Sequence, residues 1–233
     1  MKSESYVLRP IAHIRSGFTE KFGIPRQPRL VPGLEAEVVM EEEFSEKDAF
    51  RGIEEYSHLW LIFGFSANAV DMTEEPAKWN PLVRPPRLGG KVKKGVFATR
   101  SPYRPNSLGL SAVRLLGMEK RGTQIVLKIE GGDLLDGTPI YDIKPYIPSD
   151  SIPEAAAGFA VPAGPKMRVD FPEGLLAKVG EEDREVLTAL LAEDPRNAYD
   201  KRPGDHFAFR YGKYNVRFRA GEEDLIVTDV EIE

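Results

Sequence analysis

The chain has 233 residues, 32 basic and 37 acidic side chains, a formal net charge of −5 and no cysteine. Disulfides and thiolate metal sites are therefore excluded, and the three histidines (His13, His58 and His206) have no spacing typical of a metal site. The N-terminus lacks the apolar run of a signal peptide, and no stretch approaches the ~20 apolar residues of a membrane span. We expect a soluble, cytoplasmic protein that binds no metal.

The chain up to Tyr146 predicts short strands separated by glycine and proline. Apolar runs and two-residue alternation place these strands at Tyr6–Ser16, Leu34–Met40, His58–Phe65, Val92–Thr99, Leu108–Leu116, Thr123–Glu130 and Thr138–Tyr146. The acidic segment Glu41–Glu55 predicts a short helix with Ser45 as its N-cap. Many short strands with Gly/Pro turns are typical of a barrel or a sandwich. The sequence therefore predicts a mainly β first domain over residues 1–148.

A proline-rich segment follows and predicts an irregular linker over residues 149–173. The remaining residues, 174–233, predict a small α+β domain. Its helix covers Gly180–Asp194 and carries an apolar stripe, which consists of Val186, Leu187, Leu190 and Leu191. Alternating residues after Phe207 predict a three-stranded meander, with Gly212-Lys213 as a two-residue hairpin loop.

Basic side chains are concentrated between Val83 and Leu115, where there is no carboxylate. The eight are Arg84, Arg87, Lys91, Lys93, Lys94, Arg100, Arg104 and Arg114. A basic stripe on an acidic protein indicates an anionic partner that binds at one place, because guanidinium groups suit phosphate and carboxylate. The alternative is a solvated strand face whose charges are balanced by the acidic run nearby.

Two turn-rich motifs carry further candidate side chains. The first, K-F-G-I-P-R-Q-P-R at residues 21–29, is either a ligand-facing loop that presents Arg26 and Gln27 or an ordinary surface loop. The second, G-G-D-L-L-D-G-T-P-I-Y-D at residues 131–142, contains Asp133 and Asp136. Asp136 opens a turn and fits a side-chain cap, whereas Asp133 follows two glycines that allow a ligand to approach the backbone.

Standard catalytic motifs are missing from the sequence. It contains no G-x-S-x-G, no Walker motif, no H-E-x-x-H and no Rossmann fingerprint. A reaction that needs alignment rather than a metal or a covalent nucleophile remains compatible with the chain.

Three segments together resemble the TrmO (TsaA-like) family: K-F-G-I-P-R-Q, A-T-R-S-P-Y-R-P-N-S-L-G-L at residues 98–110, and D-L-L-D-G-T-P-I-Y-D-I-K-P-Y at residues 133–146. S-H-L-W at residues 57–60 and V-R-P-P-R-L-G-G at residues 83–90 also fit. The tail resembles the family's C-terminal domain, with D-P-R-N-A-Y at residues 194–199 in place of D-P-R-P-A-Y. The resemblance implies a non-Rossmann β-barrel that binds S-adenosylmethionine, followed by a small α+β domain, and a homodimer.

The resemblance also implies an activity and a set of site residues. Members transfer a methyl group from S-adenosylmethionine to N6 of N6-threonylcarbamoyladenosine, beside the tRNA anticodon. The implied cofactor contacts in this sequence are Pro25, Arg26, Gln27, Ser66, Ala67, Arg100, Leu110, Gly132, Asp133 and Leu134, with backbone contacts expected at Ser66 and Ala67.

Two hypotheses concern catalysis and RNA binding. Asp136 is the candidate proton acceptor for N6, and Arg104 and Asn106 are the candidates to hold the threonylcarbamoyl carboxylate. The candidates for tRNA phosphate contacts are Arg84, Arg87, Lys91, Lys93, Lys94 and Arg196, with the Arg217/Arg219 pair. The modified base lies in a loop, so we expect an unstacked nucleotide to be recognised.

Two other functions remain compatible with the sequence. One is a non-catalytic RNA-binding barrel, and the other is an S-adenosylmethionine-dependent methyltransferase that acts on a different substrate.

Overall fold

The computed structural model describes residues 6–65, 79–159, 166–196 and 202–233, with only the main chain at Arg87. The N-terminal unit contains β1 Ala12–Arg15, β2 Glu35–Met40, β3 His58–Gly64, β4 Leu82–Val83, β5 Lys94–Gly95, β6 Leu108–Arg121, β7 Gln124–Glu130 and β8 Pro139–Pro145. The C-terminal unit contains β9 Arg168–Asp170, α1 Glu173–Leu176, α2 Glu181–Ala192, β10 His206–Tyr211, β11 Tyr214–Ala220 and β12 Asp224–Ile232.

Six antiparallel strands of the N-terminal unit form one sheet that closes into a ring. The strand order is β1-β2-β7-β6-β3-β8, and β8 pairs back onto β1 with Ala12 opposite Ile140. Leu59 and Leu61 of β3 are fully buried inside the ring. Their partners on β6 face the same side, because residues directly opposite each other in antiparallel strands share a face. The prediction of a mainly β protein is confirmed.

Two local predictions in this unit are wrong. Glu41–Glu55 does not form one helix but three short 3₁₀ helices, at Glu42–Phe44, Lys47–Phe50 and Ile53–Glu55. Gly52, with φ of +87°, breaks the helical path. Ser45 ends the first of these helices instead of opening one. Val92–Thr99 is not a full strand, since only Lys94–Gly95 pairs, and the chain then turns through a 3₁₀ helix that buries Val96.

The C-terminal unit is a four-stranded sheet with the order β10-β11-β12-β9, covered by α2. Helix α2 and its four buried apolar residues match the sequence prediction. The predicted linker and the three-stranded meander need correction, because Arg168–Asp170 pairs in parallel with β12 as a fourth strand. This strand has only three residues and lies close to Pro172, so it is too short for alternation to reveal it. No helix of the described part of the chain is long and apolar enough to cross a membrane.

The long segment between β1 and β2, residues 16–34, joins the two units; we call it the bridging loop. Its Phe18, Val31 and Leu34 are buried in one cluster with α2 and the second sheet. Gly212 N–H donates to the Gly17 carbonyl over 2.8 Å. The bridging loop is therefore packed into the hydrophobic core of the C-terminal unit, while the ring keeps a separate core of its own.

Candidate functional site

The three motifs of the resemblance meet in one cavity of about 710 Å³ near the C-terminal end of β3; we call it the inner cavity. Seven of the sequence-predicted site residues line it: Pro25, Arg26, Gln27, Arg100, Arg104, Leu110 and Asp133. They come from the bridging loop, the basic segment, the start of β6 and the turn after β7. A ligand in this cavity would contact all three motifs at once.

Gly131 explains how the bridging loop reaches Asp133. Its φ is +83°, and a Cβ atom there would lie 2.9 Å from Arg29 Cγ and 3.2 Å from the Arg29 backbone. The Arg29 N–H donates to the Gly131 carbonyl over 3.0 Å. Only glycine allows this close approach, and the approach brings Pro25–Gln27 beside Asp133.

A second glycine shapes the opposite wall. A Cβ atom at Gly109 would clash with the tip of the Phe63 ring, so this ring can lie against the start of β6 only because residue 109 has no side chain. Phe63 then contacts Phe65 edge-on, with ring centroids 5.1 Å apart. Both rings line the inner cavity and give it an apolar wall suited to an aromatic ligand group.

Asp133 is the acidic group of the inner cavity. The Ser111 hydroxyl donates to Asp133 Oδ1 over 2.7 Å. Burial raises the pKa of Asp133, and the Ser111 hydrogen bond and the charge of Arg100 only partly oppose this rise. A partly desolvated carboxylate with one oxygen already held suits a ligand that brings hydroxyl or ammonium donors.

Arg104 lies at the rim of the same cavity. Its guanidinium donates to the carbonyls of Thr99 and Ser101, over 3.1 and 3.4 Å. Both bonds use Nη1, so the arginine fixes its own loop with one nitrogen and can contact a ligand with the others.

Sequence reasoning did not single out Ser111 or Gly109, and it placed Phe63 only within the predicted strand His58–Phe65. Ser111 lies one residue beyond the motif that ends at Leu110, and its position two residues after Gly109 places it on the same face of β6. This two-residue spacing was the sequence signal that could have identified Ser111 as a site residue. Phe63 is indeed buried, but one side of its ring forms cavity wall.

Several predicted residues do not line the inner cavity. Gly132 and Leu134 are buried behind it, and Asn106 is exposed outside it. Asp136 is also outside, and its Oδ1 accepts a hydrogen bond from the Ser16 N–H over 3.0 Å. This contact favours the turn-cap reading of Asp136 over the proton-acceptor reading. Ser66 and Ala67 lie outside the described residues.

Asp136→Asn is expected to leave methyl transfer within about twofold of the unchanged protein, because an amide oxygen also accepts the Ser16 hydrogen bond. Asp136→Ala is expected to cost about 1 kcal/mol of folding free energy, the usual value of one such bond. Turnover and chemical denaturation measure the two effects. A 100-fold loss of turnover in Asp136→Asn, with unchanged folding, would restore Asp136 as a proton acceptor.

Arg196 is not the phosphate-binding residue that its position in the D-P-R motif suggested. It is 3% exposed, and its Nε donates to Asp194 Oδ1 over 2.7 Å. Asp194 is at a left-handed φ of +55°, which turns its carboxylate toward the guanidinium. The Arg196 carbonyl accepts a bond from Arg26 Nη2 over 3.0 Å. Arg196 thus fixes the cavity loop from behind, and its charge is neutralised within the fold.

A second cavity of about 1050 Å³, the outer cavity, adjoins the inner one. Arg26, Thr99, Arg100 and Pro102 line both cavities. Arg84 and Lys93 line the outer cavity, whereas Lys91 is exposed beyond it and Lys94 lies over the Phe159 ring. For Arg87 only the main chain is described.

A further cavity of about 670 Å³ opens at the other end of β3, beside Leu59. Its described lining carries Glu43, Glu46 and Glu55 against one cation, Arg51, so it suits an anionic ligand less well than the inner and outer cavities. Within the described ranges, no three His, Asp or Glu side chains are grouped so that they would hold a metal ion. The charge pattern therefore identifies the inner and outer cavities as the candidate functional site.

Comparison with known proteins identifies the family. Residues 13–151 match the tRNA-methyltransferase O N-terminal domain, and residues 164–233 match the TrmO C-terminal domain. The chain therefore belongs to the TrmO family.

Individual relatives cover nearly the whole chain. The tRNA (adenine(37)-N6)-methyltransferase of Escherichia coli (strain K12) is 38% identical over 97% of this chain and 98% of its own length. The putative S-adenosylmethionine-dependent methyltransferase RcsF of Pseudomonas aeruginosa is 40% identical over the same shares. The crystal structure of TrmO from P. aeruginosa has a TM-score of 0.79 and 33% identity, and covers 100% of this chain and 99% of that chain.

Proposed function

We propose that this protein transfers the methyl group of S-adenosylmethionine to N6 of N6-threonylcarbamoyladenosine beside the tRNA anticodon. The observation that carries the proposal is the convergence of three separate motifs on the inner cavity around the Asp133–Ser111 pair. A relative whose printed name is tRNA (adenine(37)-N6)-methyltransferase matches 97% of the chain. A homodimer, which the resemblance implies, is part of the same proposal.

The residues of the inner cavity fit S-adenosylmethionine. Its volume of about 710 Å³ is within the usual ~300–1,000 Å³ of small-molecule sites. Phe63, Phe65 and Leu110 offer apolar surface to an adenine ring. Asp133 offers a carboxylate to the ribose hydroxyls or to the amino group, and Arg26 and Arg100 offer cations to the donor's carboxylate.

Methyl transfer from a sulfonium is an in-line displacement in which the bound donor supplies both the electrophilic methyl group and a good leaving group. The protein must align the two reactants and exclude water. Buried Pro25 and Phe63 give the inner cavity an apolar wall, which reduces the water around a bound donor. Arg104 at the rim is placed to bind the carboxylate of the threonylcarbamoyl group, while Arg100 stands between the two cavities.

The test of this function is a methylation assay with labelled S-adenosylmethionine and two tRNA preparations, one with and one without the threonylcarbamoyl group. We expect label at N6 of the modified tRNA alone, identified by mass spectrometry of the nucleosides. Equal labelling of unmodified tRNA would point to a different substrate. Failure to bind S-adenosylmethionine in calorimetry would instead identify a non-catalytic RNA-binding protein.

A further inference from the structure

We propose that the outer cavity binds unstacked nucleotides of a single-stranded RNA loop, with bases stacked on Trp79 and Tyr103 and phosphates held by Arg84 and Lys93. This inference deepens the proposed function, because it assigns a place to the RNA substrate of the same site. Neither the motifs nor the resemblance assigned a role to these two aromatic residues.

The charged side chains among the described lining residues of the outer cavity are all cations. Arg26, Arg84, Lys93 and Arg100 line it, and none of its described lining residues is an aspartate or a glutamate. The chain as a whole has a net charge of −5, so this concentration of cations is local. Such a lining attracts a polyanion and fixes where it binds.

Exposed aromatic rings accompany these cations. Tyr103 is 55% exposed and Trp79 is 36% exposed, and both line the outer cavity. Phe97, which is 70% exposed, lies with its ring centroid 5.7 Å from that of Trp79. Exposed aromatic rings beside cations are typical of proteins that bind single-stranded nucleic acids. The bases stack on the rings while the phosphates pair with the cations.

Prolines restrict the backbone in the walls of the cavity. Pro85, Pro86 and Pro102 line it, and the short pair of β4 with β5 holds Leu82 and Val83, which line it as well. The Tyr103 N–H donates to Ser101 Oγ over 3.2 Å. A cavity whose shape is fixed before binding spends less of the interaction energy on ordering itself.

The shared wall gives the outer cavity its role in the reaction. Arg26, Thr99, Arg100 and Pro102 separate it from the inner cavity. A loop nucleotide that stacks in the outer cavity therefore places its neighbour, or its own base edge, next to the donor site. A paired RNA stem cannot present its bases in this way, since its base faces are stacked within the helix.

The experiment uses the full chain with Trp60→Phe, which leaves Trp79 as the only tryptophan of the two in the sequence. The probes are an anticodon-arm hairpin RNA and a fully paired duplex that contains the same stem. We expect the hairpin to quench Trp79 fluorescence and the duplex to leave it unchanged. Tyr103→Ala should weaken hairpin binding about 10-fold, whereas Tyr103→Phe should bind as tightly as the parent.

Tyr56→Ala is the matched control, because Tyr56 is also an exposed tyrosine (39%) but lies at the other end of β3. It should bind the hairpin like the parent.

Calorimetry with S-adenosylmethionine shows whether Tyr103→Ala still folds and keeps its inner cavity. Unchanged hairpin affinity in a Tyr103→Ala variant that binds the donor would overturn the inference, as would equal quenching by the duplex or stronger quenching by an acidic peptide. Hairpin binding as expected without any methyl transfer would contradict the proposed function and leave this inference standing.

Discussion

Asp133→Asn is expected to weaken binding of S-adenosylmethionine by about 10- to 100-fold, the range for the loss of a charged hydrogen-bond acceptor. The same change should raise the stability of the unliganded protein at neutral pH. Burial raises the pKa of Asp133. The ionised carboxylate present at neutral pH therefore destabilises the folded protein. Asparagine removes the charge and still accepts the Ser111 hydrogen bond.

The sign of the pH dependence follows from the raised pKa. Below the unfolded-state pKa the Asp133 carboxyl is protonated in both states, and it costs no stability. As the pH rises through the folded-state pKa the carboxyl ionises, and the stability advantage of low pH is lost. Thermal unfolding should therefore separate Asp133→Asn from the unchanged protein at neutral pH and not in acid. Donor affinity of the unchanged protein should fall as Asp133 becomes protonated.

Asp136→Asn is the matched control for this prediction, because it makes the same chemical change three residues away and outside the inner cavity. It should bind the donor like the unchanged protein. If Asp133→Asn binds S-adenosylmethionine normally, or unfolds more easily at neutral pH, the assignment of Asp133 to the donor is wrong.

Arg104→Ala is expected to lower turnover on threonylcarbamoylated tRNA by about 10- to 100-fold, with donor affinity within about twofold of normal. Under the proposed function, this change removes a guanidinium that binds the substrate carboxylate, an interaction worth roughly 1.5–3 kcal/mol. Steady-state kinetics measures the first effect and calorimetry the second. Arg104→Lys, which keeps the charge but loses the planar fork, should give an intermediate rate.

The alternative is that Arg104 has a purely structural role, because it also contacts its own loop. Its Nη1 donates to the Thr99 and Ser101 carbonyls, and Thr99 also lines the inner cavity. A purely structural role would therefore weaken donor binding as much as turnover. Equal losses in both measurements, or no loss in either, would remove Arg104 from the substrate site.

The resemblance implied that the three motifs contact one cofactor, and the structure places residues of all three on the inner cavity. The sequence did not predict Ser111, whose role depends on a hydrogen bond to Asp133 across 22 positions of the chain. It also misassigned Arg196, because an exposed cation and a buried ion pair look the same in sequence. The backbone turn at Asp194 that pairs the two residues is a property of the folded chain.

The sequence predicted secondary structure least accurately where the elements are short. Alternation over Val92–Thr99 predicted a strand, but burial of Val96 and the turn that follows left only two residues paired. In the C-terminal unit, β9 escaped prediction because three residues carry no readable period. Long elements such as β3 and α2 were predicted correctly, since their buried faces repeat often enough to identify them.

The bridging loop connects the C-terminal unit to the inner cavity, which lies in the N-terminal unit. Phe18, Val31 and Leu34 would meet water in a chain truncated before β9, and Arg26 would lose the Arg196 carbonyl that anchors it. The inner cavity and the tail are thus held by the same loop, so we expect damage to the tail to disturb the inner cavity at a distance.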